Sequence, residues 1–111
     1  MPKRDADILI QDMLGAIRKI DAYIAGLDRD SFLKDEKTID AVVRNLGVLG
    51  EATRQLPDDF VGQHAEVPWR LIAGLRNRIV HEYFGLDLDL IWQIISQDLL
   101  PIKTQIEGLR Q

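Results

Sequence analysis

The apolar residues of this chain recur at helical spacing along most of its length, and that periodicity leaves few folds open. Ile10, Met13, Ile17, Ile20, Ile24 and Leu27 follow one another at intervals of three and four, which gathers them on one side of a helix. Ile39, Val42, Val43, Leu46 and Leu49 repeat the pattern, as do Leu88, Ile91, Ile94, Ile95, Ile102 and Ile106. No run alternates as a half-buried strand does. Punctuation sets the boundaries. The first helix is expected from about Ala6 to Gly26, with Asp5 or Asp7 near its cap, and the second from about Glu36 to Gln55, closed by Pro57. "DRDSFLKDEKT" has room for one helical turn, and "PDDFVGQHAEV" reads as a connector. Pro68 suits the first turn of a third helix running toward Glu82. Gly85 then breaks the chain, Asp87 caps a fourth helix, and Pro101 bends or splits it. The expected fold is all-α, an antiparallel helical bundle of four main helices, with residues 1–111 as one domain.

Composition narrows what such a bundle does. A chain of 111 residues, 46% apolar and 29% charged, buries one core. The absence of cysteine excludes disulfides and thiolate metal sites. The opening "MPKRDADILIQDML" sets acidic residues inside its apolar stretch, unlike the core of a signal peptide. No apolar run approaches the roughly 18 residues of a membrane span, so no membrane partner and a cytoplasmic location are expected. A net charge of −4 argues against coating nucleic acid by bulk electrostatics. Between Trp69 and Tyr83, however, Arg70, Arg76 and Arg78 face a single acid, Glu82. An anionic ligand would be met there.

One of these arginines is oddly placed. At about 100° per residue, Trp69, Ile72, Leu75, Ile79, Val80 and Tyr83 form one stripe. Arg76 projects into its middle, whereas Arg78 and Glu82 make an i,i+4 pair on the solvated side. A charge in apolar surroundings needs an anionic partner, either a carboxylate of the protein or a phosphate of something else. Glu51 is a candidate carboxylate. It lies on the edge of the face that carries Gly47 and Gly50, two mid-helix glycines that suggest close approach of another helix backbone.

His81 follows Arg76 by five residues, about 140° away on an unbroken helix. Either the helix ends near His81 or a second protomer supplies the other half of the pair. Asn77, four residues before His81, can orient its imidazole. Histidine moves protons near neutral pH, and arginine grips phosphate with paired hydrogen bonds. Such a pair can cleave a phosphodiester without a metal, one group deprotonating a 2′-hydroxyl while the other stabilises the phosphorane-like transition state. The same residues also admit plain roles: a helix-end histidine that caps, and core packing for Tyr83, Phe84 and Trp92. His64 lies in the connector, and Asp58 and Asp59 form turns; none suggests a metal site, and no cofactor is expected.

"RNRIVHEYFGLD" fits the R-x-x-x-x-H-x-Y pattern of the HEPN superfamily and resembles its HepT-type toxins. "DILIQDMLGAIRKIDAYIAGL", "AVVRNLGVLGEATRQLP" and "VPWRLIAGLRNRIVHEYFGLDLDLIWQII" follow that family in order over nearly the whole chain. The resemblance implies a homodimeric, metal-independent endoribonuclease, the toxin of a type VII toxin–antitoxin module. Its catalytic residues fall on Arg76 and His81, from both protomers, in a cleft at the dimer interface, and the polar position after the arginine falls on Asn77. Glu51, the candidate carboxylate of the glycine face, is the other expected supporting residue. The family's tyrosine falls on Tyr83, which a cognate minimal nucleotidyltransferase antitoxin adenylylates. RNA is the implied substrate. A catalytically silent interaction module and a nucleotide-binding regulatory partner of a nucleotidyltransferase are the alternatives.

Overall fold

The computed structural model describes residues 5–81 and 85–109, with His81 as backbone. Two 19-residue helices, α1 (Ala6–Ile24) and α3 (Glu36–Arg54), form its spine. Leu9, Ile10, Met13, Leu14, Ile17 and Ile20 of α1 are buried, as are Ile39, Val42, Leu46 and Leu49 of α3. The Thr53 hydroxyl near the end of α3 reaches the Met13 sulfur in the first half of α1 at 3.6 Å, so the two helices run antiparallel. The chain turns between them through α2 (Arg29–Leu33). There Ser31 N donates to the Asp28 carboxylate at 2.8 Å, and Asp28 N donates back to the Ser31 hydroxyl at 2.9 Å. This reciprocal cap satisfies two backbone donors at a helix start.

The connector after Pro57 is more ordered than its composition suggests. It contains α4 (Asp58–Gln63), which buries no residue and therefore leaves no apolar period in the sequence. Aromatic contacts fasten it instead. Phe60 packs on His64 and Trp69 with ring centroids 4.7 and 6.1 Å apart, and Trp69 Nε1 donates to the His64 carbonyl at 2.8 Å.

The third helix does not run unbroken toward Glu82. It divides into α5 (Trp69–Ala73) and α6 (Leu75–Ile79) around Gly74. The chain then extends into β1 (Val80–His81), antiparallel to β2 (Gly85–Leu86), with Val80 opposite Leu86 and His81 opposite Gly85. Asp87 N donates to the Ile79 carbonyl at 2.8 Å and closes this short pairing. Two-residue strands are too short to show alternation in a sequence. Gly85 adopts φ +94°, a left-handed conformation that favours glycine.

Asp87 caps α7 (Leu88–Gln93) by accepting from Leu90 N at 3.1 Å, as expected. The last helix is interrupted ahead of Pro101 rather than at it. A π-helical turn, Ile94–Asp98, leads into α8 (Leu99–Glu107), whose third residue is the proline. Pro101 has no N–H to donate to Gln97 and crowds its carbonyl, and the irregular turn lies directly upstream. Lys103 meets Asp21 at 3.0 Å and Arg18 meets Glu107 at 3.6 Å, so α8 runs antiparallel to α1. The observed architecture is thus an all-α antiparallel bundle.

Candidate functional site

Helix α3 meets the third helical segment along its glycine face. A Cβ on Gly50 would lie 3.2 Å from the Ala73 carbonyl oxygen and 3.4 Å from that of Ile72, so α5 crosses α3 against bare backbone. Gly47 is different: a Cβ there would meet only the Arg76 Cδ, at 3.9 Å. The close-approach expectation holds for Gly50. At Gly47 the neighbour is instead an arginine side chain, at an ordinary contact distance. The pairing of residue 50 with 73 and of 47 with 76 runs α5 and α6 antiparallel to α3.

This crossing leaves an open groove of about 520 Å³. Gly47, Gly50, Val43 and Ala73 line it together with the charged residues Asp40, Arg44, Glu51, Arg54 and Arg76. Arg76 does not sit in the apolar stripe. On either side of the break at Gly74, Trp69, Ile72, Leu75 and Ile79 are buried, while Arg76 is exposed at the groove wall and Val80 is 38% exposed. Nor does Glu51 pair with Arg76. It meets Arg54 at 3.5 Å, one turn along its own helix. Among the described residues, no carboxylate lies within ion-pair distance of Arg76 or Arg44. Two arginines therefore line one groove without a counter-ion among the described residues.

The other expected site residues divide between placed and not placed. Asn77 is exposed on α6. Because α6 ends at Ile79, Asn77 and His81 do not share one helical face, and the 140° separation of an unbroken helix does not apply. The helix ends before His81, whose backbone pairs with Gly85. Tyr83 and Glu82 lie outside the described residues, and with Glu82 goes its expected pair with Arg78. Among the described residues, no group of three His, Asp or Glu side chains converges as a metal site requires. No helix among them is long and apolar enough to cross a membrane.

Arg44 and Arg54 were not singled out in the sequence as ligand-facing. Their signal is visible in retrospect, since Arg44 flanks Gly47 at i,i+3 and Arg54 flanks Gly50 at i,i+4 on one face of α3. Carboxylates elsewhere are tied into the fold. Thr38 donates to Asp35 through its hydroxyl at 2.7 Å and its backbone N–H at 3.0 Å, and these bonds hold the Asp35 carboxyl below its ordinary pKa. Ser31 does the same for Asp28.

The bundle thus sets an arginine-lined groove where α3 meets α5 and α6, and His81 follows two residues after the end of α6. A family model described as "Ribonuclease HepT-like" matches residues 13–109. The chain belongs to this family. It is 41% identical over 109 residues to a protein of Methanocaldococcus jannaschii named a "Putative RNase", covering 98% of this chain and 90% of that one. It is 36% identical over 109 residues to a "Probable ribonuclease HepT" of Thermococcus cleftensis, covering 98% and 99%. A second "Putative RNase" of M. jannaschii is 35% identical over 107 residues, covering 96% and 98%. No solved structure matches.

Proposed function

We propose that the protein is a metal-independent endoribonuclease, the toxin of a type VII toxin–antitoxin module, acting as a homodimer through Arg76 and His81. The observation that carries this reading is Arg76 itself. It is exposed on a groove wall, lacks a carboxylate partner among the described residues, and stands five residues before His81 in a chain of a ribonuclease family.

The chemistry follows from the two side chains. Neutral His81 accepts the proton of a ribose 2′-hydroxyl, and the 2′-oxygen attacks the adjacent phosphorus. The P–O5′ bond breaks, leaving a 2′,3′-cyclic phosphate on one fragment and, after protonation, a 5′-hydroxyl on the other. Arg76 places two parallel N–H donors on the phosphoryl oxygens, where negative charge builds in the transition state. A two-fold axis near α6 would bring two such sets into one cleft, with Arg76 of one protomer serving the histidine of the other. Asn77 on the exposed side of α6 and Glu51 across the groove would support that cleft. Regulation acts at Tyr83. A partner nucleotidyltransferase transfers AMP from ATP to the phenol oxygen, releasing pyrophosphate, and the new phosphate occupies the place of the substrate's.

Induced expression in a host lacking the partner tests the whole reading. Wild type should arrest growth and His81→Ala should not, with both proteins folded and present at equal level. Light scattering at micromolar concentration should give twice the chain mass for each. Growth arrest by the alanine variant, or a clean monomer, would contradict the composite site.

A further inference from the structure

We propose that Arg44 is a second phosphate-binding residue of the groove, holding the backbone of single-stranded RNA at a nucleotide other than the one gripped by Arg76. This inference rests on the ribonuclease reading and adds a substrate-binding residue to it.

Arg18, Arg29 and Arg54 each pair with a carboxylate, namely Glu107, Asp30 and Asp89, and Glu51. Arg44, Arg70, Arg76 and Arg78 have no such partner among the described residues. Of these four, only Arg44 and Arg76 line the groove. They reach it from different helices, α3 and α6, and Gly47 lies between them. A Cβ at that position would stand 3.9 Å from Arg76 Cδ, so the Arg76 stem lies against α3 about one turn from Arg44. Asp40, one turn before Arg44 on the same groove, is not within ion-pair distance of it. Arg44 thus keeps its donors available for an incoming anion.

The lining also decides which part of a nucleic acid is held. Among the described residues, the apolar side chains lining the groove are Val43 and Ala73, and none of the lining residues is aromatic. Single-strand sites join a positive groove that tracks the backbone with aromatic platforms on which bases stack. The described lining supplies the first half: an open groove, a poor enclosure for a free mononucleotide and a suitable track for consecutive phosphates. The resulting grip is tolerant of sequence and sensitive to salt. Asp40 and Glu51 temper it, so that RNA is retained only where both free arginines are engaged.

The test uses the full chain and a short fluorophore–quencher RNA of mixed sequence for cleavage. Its 2′-O-methyl counterpart, which cannot be cut, serves for binding by fluorescence anisotropy across a salt series. Arg44→Ala should raise KM and weaken binding about tenfold while leaving kcat little changed. It should also reduce the slope of log affinity against log salt by about 0.7, the loss of one phosphate contact on a single strand. Arg44→Lys should restore the slope and part of the affinity. Arg18→Ala removes the same charge from the α1–α8 face and should change neither KM nor slope, which separates a local contact from net charge. If wild type cleaves and binds RNA but Arg44→Ala behaves like Arg18→Ala, this inference is overturned and the ribonuclease reading stands. If wild type neither binds nor cleaves, both are overturned.

Discussion

Gly47 and Gly50 lie one turn apart on the same helix, yet alanine should act on them in opposite directions. Replacing a mid-helix glycine by alanine removes a conformational entropy cost and gains about 1 kcal/mol where the new methyl fits. At Gly47 it fits: the nearest atom is Arg76 Cδ at 3.9 Å, an ordinary contact with a flexible side chain. At Gly50 the new methyl meets two backbone carbonyl oxygens of α5, at 3.2 and 3.4 Å. Those atoms move only if the whole helix moves, and overpacking of this kind costs about 1–3 kcal/mol. Set against the same helical gain, Gly50→Ala should destabilise by about 1 kcal/mol while Gly47→Ala stabilises by a similar amount. Urea unfolding followed by circular dichroism at one fixed protein concentration measures both, the concentration mattering because a dimer's stability depends on it. The midpoints should move to opposite sides of wild type at similar slope. Equal stabilisation by the two alanines would refute the claim that α5 packs on bare α3 backbone at Gly50. Displacement of α5 would also carry α6 and Arg76 with it, so Gly50→Ala should lose more activity than its stability change explains.

Arg76→Lys keeps the charge but loses the planar fork that matches two phosphoryl oxygens; kcat should fall steeply while the fold, read by circular dichroism, is retained because Arg76 is exposed. Tyr83→Phe removes only the acceptor oxygen, so intact-mass analysis after incubation with the partner and ATP should show added AMP on wild type and none on the variant, which should stay toxic. Asp35→Ala should destabilise the protein at neutral pH by removing the α3 cap. Since the folded pKa of Asp35 lies below 3.8, its contribution is complete above about pH 5 and is lost as pH falls through the folded value. The gap between wild type and variant, followed by denaturation against pH, should therefore close in acid.

The two long helices were legible because each buries a continuous stripe of large aliphatic residues, and their ends fall within about two residues of the expected ones. The Asp87 cap was legible from its capping chemistry, and the charged connection was expected to have room for the one turn found at residues 29–33. α4 was not, because a helix held by Phe60 and Trp69 contacts and burying nothing leaves no period to read. The break at Gly74 was missed for another reason. The apolar residues on either side, Ile72, Leu75 and Ile79, keep a helical spacing through it, so the wheel continued where the backbone turned. The expectation that Arg76 sits among apolar side chains and so needs an anion is not met: the structure has it exposed, on the same groove as Arg44.

The central claim is that Arg76 and His81 cut RNA by using the substrate's own 2′-hydroxyl. Incubating the purified protein with RNA in excess EDTA, and analysing the new ends, tests it most directly. The account predicts cleavage by wild type that leaves 2′,3′-cyclic phosphate and 5′-hydroxyl ends, none by His81→Ala, and no cleavage of an RNA whose 2′-hydroxyls are methylated. Loss of cleavage in EDTA with rescue by magnesium, or products bearing 5′-phosphates, would contradict it.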